Sequence, residues 1–402
     1  MKTVFVVGGG FPGLVSALAI ASMGIKVRLF DVKESLLDSQ VHVHKPIVIN
    51  ASSWRLLSTL NITSQLIEKA FPLEKMHVIR QDWAKFSFNA DGDRFPYLGY
   101  VVLGVDLQNV LGQAVMNHPN IECHLGTKIS TLSLKPRPKV SVGKKSYVGD
   151  LIIATDGFNS WCRKNQKMEY EQKQWNKKAL ILPTVLNHPL SDAYLRFVDF
   201  GTVACIPSAN GYHQIIMTAD DTHPMFEYEL AHLESVVKEL LKDIVIINHC
   251  EAPKVFELGQ GVAPKVAIPG MVLIGDAGFA IPPVGAQGLN LAFYDIGVLA
   301  DTIAESLSTQ QQMYSPKLAE RFNSIVMPHH HTLLKRVSQL VNLFNLQNPI
   351  LKLGHGVGLW LMEKVSPFKH HIAEFGMGIR YPVPALLRGR NPDIHLRVAT
   401  DE

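Results

Sequence analysis

The sequence predicts an α/β fold in which a mostly parallel sheet is interrupted by an antiparallel sheet and followed by a helical C-terminal region. A strand–glycine–helix–strand unit opens the chain, and the apolar runs at residues 150–155 and 271–274 are typical of buried parallel strands. Between these runs, residues 178–219 contain the alternating extended segments that are typical of an antiparallel sheet.

The chain is long enough for two interleaved domains, since it has 402 residues. The predicted parts are a discontinuous α/β domain (1–75, 98–177 and 257–315), an inserted β-sheet substrate domain (76–97 and 178–256) and a helical region (316–402).

The opening unit matches a Rossmann-like dinucleotide fingerprint. Its glycines allow a tight turn and a close approach of the backbone to a pyrophosphate, and its final acid suits a ribose hydroxyl. The ordered match makes a chance glycine turn a poor explanation, although it leaves FAD and NAD(P) open. The parts in order are strand 3–7, Gly8, Gly10, Gly13, helix 14–22, strand 25–30 and Asp31.

A second segment, residues 275–295, separates those two cofactors. Gly275 and Asp276 follow an apolar run, and a proline-rich turn then leads into a helix that starts near Gln287. The carboxylate can accept hydrogen bonds from hydroxyls, and the helix start offers unpaired N–H groups and a partial positive charge. This combination favours a ligand that carries both hydroxyl groups and an electron-poor ring.

Composition narrows the class of protein. The chain is 47% hydrophobic and 18% charged, which is globular, and its net charge of +4 gives no case for nucleic acid. The early apolar run belongs to the fingerprint rather than to a signal peptide, and no window reaches the ~18 apolar residues of a spanning helix. Widely spaced cysteines without a CxxC pair favour reduced thiols in a cytoplasmic protein: Cys123, Cys162, Cys205 and Cys250.

Three segments together resemble the motifs of the single-component (class A) FAD-dependent aromatic hydroxylases. They are the GxGxxG start, residues 156–163 (the family's DGxxSxxR) and residues 275–295 (its GDAAHxxxPxxGQGxNxGxxD). The C-terminal third is similar to the ubiquinone-biosynthesis hydroxylase branch. The resemblance implies a p-hydroxybenzoate hydroxylase-like fold, bound FAD, and NAD(P)H as a transient reductant. It also implies hydroxylation of an aromatic small molecule, such as a quinone precursor, by O2 through a flavin hydroperoxide.

The resemblance also implies roles for individual residues. Asp276 would bind the ribityl hydroxyls, and the backbone at the start of the last helix would face the pyrimidine end of the flavin. Lys45 stands where many members have an arginine near the flavin, and Phe279 stands where they have a histidine. The implied cofactor-binding residues are Gly8, Gly10, Gly13, Asp31, Lys45, Asp156, Gly157, Arg163, Gly275, Asp276, Gly288, Leu289 and Asn290.

Fewer residues are candidates for catalysis. Pro283 would stiffen the loop beside the ring, and His213 lies on a strand that could face it, although an ordinary core or surface histidine is the favoured interpretation. Phe200, Cys205 and Pro207 are candidates for an apolar pocket wall or for plain sheet core. No metal site is predicted, because the consecutive residues His329–His331 would point in different directions on a helix.

Two alternatives for the activity remain open at this stage. One is a reductase or dehydrogenase on the same fold, and the other is a non-catalytic FAD-binding partner in a biosynthetic complex. The apolar C-terminal residues 340–378, with scattered lysines, fit either a peripheral membrane contact or a helical pair packed on the first domain; we favour packing.

Overall fold

The computed structural model describes residues 2–37, 45–81, 84–90, 95–209, 211–281, 287–344, 373–374, 376–379 and 382–392. The strands are β1 (Thr3–Val7), β2 (Lys26–Phe30), β3 (Pro46–Asn50), β4 (Ala70–Leu73), β5 (Lys75–Gln81), β6 (Ala84–Asn89), β7 (Gly99–Leu103), β8 (Ile121–His124), β9 (Thr131–Ser133), β10 (Lys139–Val142), β11 (Lys145–Val148), β12 (Leu151–Ala154), β13 (Glu171–Leu186), β14 (Ala193–Val198), β15 (Gly201–Pro207), β16 (His213–Asp220), β17 (Ile247–Cys250), β18 (Lys254–Val262), β19 (Ala267–Ile268), β20 (Met271–Leu273) and β21 (Phe279–Ala280). The α-helices are α1 (Phe11–Ala21), α2 (Ala51–Thr59), α3 (Thr63–Leu66), α4 (Gly104–Met116), α5 (Trp161–Asn165), α6 (Leu230–Leu241), α7 (Gln287–Ser308) and α8 (Pro316–Phe344).

The parallel sheet has the strand order β19-β20-β12-β1-β2-β8, and β19 is its one antiparallel member. Val6 pairs with Ile153 on one side and with Leu29 on the other, so the opening unit lies at the centre of the sheet. Helix α1 packs on α4 and α7. Every residue of β12 and β20 is buried, as expected for parallel strands. The α/β fold class is confirmed, and the predicted strand at residues 3–7 agrees with β1.

The antiparallel sheet has the order β21-β18-β13-β16-β15-β14-β5-β6, with β17 added beside β13. One face, which we call the helix face, buries Leu182, Ile215 and Met217 in one cluster with Val237 and Leu241 of α6. Because side chains alternate along a strand, residues one position away lie on the opposite face.

That opposite face, the inner face, carries Ile181 and Ile216, which are cross-strand partners. It also carries Phe256, which pairs with Ala179, two residues before Ile181. Lys45 Nζ lies 6.0 Å from the centre of the Phe256 ring. The inner face is therefore turned toward the residues around β3 of the first domain.

Residues 46–66 form β3, α2 and α3, so an extended piece leads directly into helix. Asn50 caps α2 by accepting a hydrogen bond from the Ser53 amide at 2.9 Å. Asparagine is a preferred N-cap, since its side-chain oxygen satisfies an amide that the helix leaves unpaired.

The three histidines of α8 point in different directions, as predicted. His330 is fully buried, and its Nε2 lies 2.9 Å from both carboxylate oxygens of Asp295 on α7. The ring of His329 lies 4.1 Å from that of Tyr294, and His331 is exposed. Within the described ranges, no group of three metal-ligating side chains could hold an ion. No helix in the same ranges is long and apolar enough to cross a membrane.

His329 should make the stability of the fold depend on pH. Burial, together with His330 and Arg336, lowers the pKa of His329 to about 3. Below the ordinary value of about 6.5 the unfolded chain binds a proton that the folded chain does not, so stability is lost as the pH falls toward about 3. We expect this residue to remove about 1–2 kcal/mol of unfolding free energy between pH 7 and pH 5.

The measurement is denaturant unfolding at both pH values for the wild type and for His329→Phe, which keeps a ring against Tyr294. The variant should lose less stability between the two pH values. Equal losses in both proteins would contradict the assignment.

Candidate functional site

The glycine-rich loop leaves an open space at the start of α1. A Cβ at Gly13 would lie 1.9 Å from the Gly8 carbonyl oxygen, and one at Gly8 would lie 2.5 Å from the Thr155 carbonyl oxygen. Gly8 also has a φ of +110°, which favours glycine. At exposed Gly10, a Cβ would meet no heavy atom within 4 Å. Gly8 and Gly13 are thus required for packing, while Gly10 leaves the helix N-terminus open to an anion.

Asp31 is held beside this loop at the end of β2. Its carboxylate accepts hydrogen bonds from the Gly9 amide and, at 2.7 Å, from the Lys33 amide. Gln108, which was not predicted from the sequence, donates to the carbonyls of Gly9 (3.1 Å) and Leu36 (2.8 Å). The sequence signal for Gln108 is its place among the apolar residues of the predicted helix, on the side that packs against the domain. The loop is thus fixed from both sides, and the Asp31 oxygens keep capacity for a further donor.

Arg163 joins the second motif to the third. Its side chain is buried and donates to the carbonyl oxygens of Ala277 and, at 2.8 Å, of Phe158. Its guanidinium also lies 3.5 Å from the centre of the Tyr170 ring. These contacts place the residues around Asp276 against residues 156–163, so the geometry gives Arg163 a positioning role.

Asp156 has one satisfied and one unsatisfied oxygen. Oδ2 accepts a hydrogen bond from the Cys162 amide at 2.9 Å, whereas buried Oδ1 has no partner. Gly157 follows it with a φ of +77°, and a Cβ at this position would meet no heavy atom within 4 Å. A buried carboxylate oxygen is normally hydrogen-bonded, so Oδ1 keeps capacity for a donor from a bound molecule or water besides the neighbouring Cys162 thiol.

Asp276 and Lys45 form the charged part of the site. Asp276 is exposed, yet the surrounding protein desolvates its carboxylate and raises its pKa, an effect that Lys45 opposes. Burial lowers the pKa of half-buried Lys45, and Asp276 opposes that shift in turn. Gly275, with a φ of +64°, lies against Pro12 of α1, so the third motif meets the glycine-rich loop.

The first turn of α7 offers backbone N–H groups to the same region. Gly288 and Leu289 are half-buried, and the nearest atom to a Cβ at Gly288 would be 3.9 Å away. Asn290 fixes the helix start, because its side chain accepts from the Asn50 amide and donates to the Val48 carbonyl, both at 2.9 Å. An amide in the first turn of a helix has no partner within the helix.

The structure gives less support to the predicted catalytic residues than to the predicted cofactor-binding residues. His213 is a correction: it lies on the helix face, where its Nε2 accepts a hydrogen bond from the Leu190 amide at 2.9 Å. Burial lowers its pKa, as expected for a histidine in the core of the sheet. Cys205 lies in the helix-face cluster, Phe200 packs against that cluster, and Pro207 pairs with His213. Pro283 lies outside the described residues.

The site fits FAD in three separate respects. The loop before α1 leaves space for a pyrophosphate, the accessible Asp276 can accept hydrogen bonds from ribityl hydroxyls, and Asp156 Oδ1 is a buried acceptor without a donor. A family model described as "FAD binding domain" matches residues 1–315. The chain belongs to this FAD-binding family. The predicted FAD cofactor is therefore confirmed.

Curated relatives extend over nearly the whole chain. A 3-demethoxyubiquinol 3-hydroxylase of Escherichia coli (strain K12) is 23% identical over 94% of this chain and 98% of its own. The mitochondrial ubiquinone biosynthesis monooxygenase COQ6 of Dictyostelium discoideum is 24% identical over 93% and 91%. The predicted family and the enzyme class, a flavoprotein monooxygenase, are confirmed, and neither alternative activity is favoured.

A solved structure is similar in fold. The p-nitrophenol 4-monooxygenase PnpA of Pseudomonas putida DLL-E4 superposes with a TM-score of 0.76 at 16% identity, covering 95% of this chain and all of that one. This likeness confirms the predicted p-hydroxybenzoate hydroxylase-like architecture.

Two glycines of the loop provide a direct test of the site. Gly13→Ala should lower the melting temperature and abolish FAD retention, because the new Cβ would overlap the Gly8 carbonyl oxygen. Gly10→Ala should leave the melting temperature of the FAD-free protein nearly unchanged and weaken FAD binding alone. Thermal unfolding and the flavin content after gel filtration measure both effects. Full FAD retention in Gly10→Ala would argue against a pyrophosphate at this helix.

Proposed function

We propose that this protein hydroxylates an uncharged aromatic small molecule, a quinone precursor, with FAD, NAD(P)H and O2. The observation that carries the proposal is the direct contact between all three motif segments, next to Lys45, which approaches Phe256 on the inner face of the antiparallel sheet. The relatives named above support the quinone precursor, because their names refer to a demethoxyubiquinol and to ubiquinone biosynthesis.

The first motif holds the adenosine half of the cofactor. In this proposal Gly8, Gly10 and Gly13 leave room for the pyrophosphate at the N-terminus of α1, whose dipole favours the negative charge. Asp31 binds a ribose hydroxyl with its remaining acceptor capacity, and Gln108 keeps the loop in place.

The second and third motifs hold the flavin half. Asp276 and Gly275 bind the ribityl chain, with Asp156 Oδ1 as a further acceptor beside Gly157. Arg163 positions this segment through the Ala277 carbonyl. Lys45 and the amides of Gly288, Leu289 and Asn290 supply positive potential where negative charge gathers in the reduced ring.

When bound, FAD supplies the redox chemistry, which passes electrons from NAD(P)H to O2 and inserts one oxygen atom into the aromatic ring. The protein contributes orientation, the electrostatic field of Lys45 and α7, and exclusion of water. The apolar inner face, with Ile181 and Ile216, is the wall that keeps water from the ring. His213 lies on the helix face, so it is not assigned as a base. No described histidine of the inner face is assigned this role either.

The membrane contact considered as one alternative for residues 340–378 falls mostly outside the described residues. This contact and the cytoplasmic location therefore stay predictions of the sequence.

Isotope labelling separates the proposed reaction from its alternatives. Purified protein loaded with FAD is supplied with NAD(P)H, ¹⁸O2 and a panel of alkylphenols and methoxyphenols. The expected product contains one labelled oxygen atom per NAD(P)H consumed. Consumption of NAD(P)H without labelled product would indicate a reductase, and no consumption with any compound would indicate a non-catalytic partner.

Asp276→Asn should weaken FAD binding by roughly 10- to 100-fold, because hydrogen bonds to a charged group contribute about 1.5–3 kcal/mol. Asp301→Asn is a matched control, since its carboxylate accepts a hydrogen bond from the Ala385 amide of the protein itself at 3.1 Å. The dissociation constant of FAD from the reconstituted apoprotein measures both variants. Equal affinities for the two variants would contradict the role of Asp276.

A further inference from the structure

Gln214 is a buried carboxamide without a hydrogen-bonding partner. The residue is 0% exposed, and neither Nε2 nor Oε1 has a partner. A carboxamide has two donor hydrogens and an acceptor oxygen, and burying such a group unpaired is unfavourable. A leucine of similar size would avoid this cost, so packing alone does not account for a glutamine at this position.

The strand register places Gln214 on the inner face. It pairs with Pro183 of β13 and with Ile206 of β15. Ile206 and the next residue along β16 on this face, Ile216, are only half-buried. Their counterparts on the helix face, such as Ile215, are fully buried. The inner face is therefore less completely covered than the helix face, and it borders open space.

The same face leads from Gln214 to the charged part of the site. Thr218, four residues along β16, pairs with Ala179, which in turn pairs with Phe256. The Phe256 ring is the one that Lys45 approaches. Gln214 and Lys45 thus lie along one continuous surface that faces the first domain.

We propose that Gln214 recognises the aromatic substrate by a hydrogen bond to an uncharged oxygen substituent, a hydroxyl or a carbonyl. This inference rests on the proposed function, since it names the residue that selects the substrate. The side chain has enough rotatable bonds to turn its carboxamide toward the space that Ile206 and Ile216 border. An amide can either donate to a carbonyl or accept from a hydroxyl.

The neighbours of Gln214 define the rest of the substrate. Its nearest inner-face neighbours on β13, β15 and β16 are uncharged: Ile181, Pro183, Ala204, Ile206 and Ile216. A lysine of this face, Lys254, pairs with Ile181 and is exposed at the start of β18. A carboxylate placed among the five uncharged residues would therefore lose its hydration without gaining a buried positive partner. The substrate selected here is therefore neutral at this end, with an apolar body around one polar group.

Binding of three probes to the oxidised, FAD-loaded protein tests this inference by calorimetry. They are 4-propylphenol, propylbenzene, which lacks the hydroxyl, and 4-hydroxybenzoate, which carries a carboxylate. The wild type should bind 4-propylphenol most tightly. Gln214→Leu should weaken 4-propylphenol binding by roughly 5- to 30-fold and leave propylbenzene binding unchanged or stronger.

Thr218→Val is the matched control on the same face, because its hydroxyl lies 2.6 Å from that of Thr202 within the sheet. It should keep the wild-type preference. A purely structural glutamine would instead change the melting temperature and affect both propyl compounds equally, which would overturn the inference. A wild type that binds none of the probes, or that prefers 4-hydroxybenzoate, would overturn it as well.

The outcome is independent of turnover, because the titrations contain no NAD(P)H. Loss of the hydroxyl-dependent preference in Gln214→Leu, in a protein that forms no labelled product, would retain the inference and reject the monooxygenase reaction. If the protein forms labelled product and Gln214→Leu keeps the wild-type preference among the probes, the monooxygenase reaction would be retained and the inference rejected.

Discussion

The close packing of α1 on the parallel sheet is the contact on which the site depends. It requires Gly13, where a Cβ would lie 1.9 Å from the Gly8 carbonyl oxygen. Thr155, at the end of β12, completes the contact by donating to the Gly8 carbonyl at 2.9 Å. The residue after Thr155 opens the second motif, and Gly275 of the third motif lies against α1. The three motifs are therefore parts of one packing unit rather than separate binding elements.

The parts of this unit that depend on local geometry could be predicted from the sequence. The spacing of the glycines, the acid after β2 and the helix start near Gln287 each follow from backbone constraints within a few residues. The bonds of Arg163 and Asn290 could not be predicted, because their partners lie far away in the chain, at Ala277, Val48 and Asn50. The resemblance implies a role for Arg163 in cofactor handling and for the backbone of Asn290 beside the flavin. The structure adds that both side chains hold protein segments together.

The antiparallel sheet shows a different limit of prediction. Alternation predicted its strands correctly, but a period of two does not say which of its faces meets the first domain. That choice depends on α6, which covers the face of His213 and Cys205. The residue next to His213 consequently lies on the inner face. A one-residue difference thus separates a core histidine from the buried, unpaired carboxamide of Gln214.

Phe279, which departs from the family pattern, packs against a histidine from another part of the chain. It occupies the usual histidine position, and its ring lies 4.3 Å from that of His330. Asp295, the last residue of the third motif, is fully desolvated, which raises its pKa, and His330 opposes this shift through a hydrogen bond. The imidazole next to this motif therefore comes from α8 instead of from the motif itself. Because the buried pair fastens α8 to α7, the start of the helical region supports the helix in which the third motif ends.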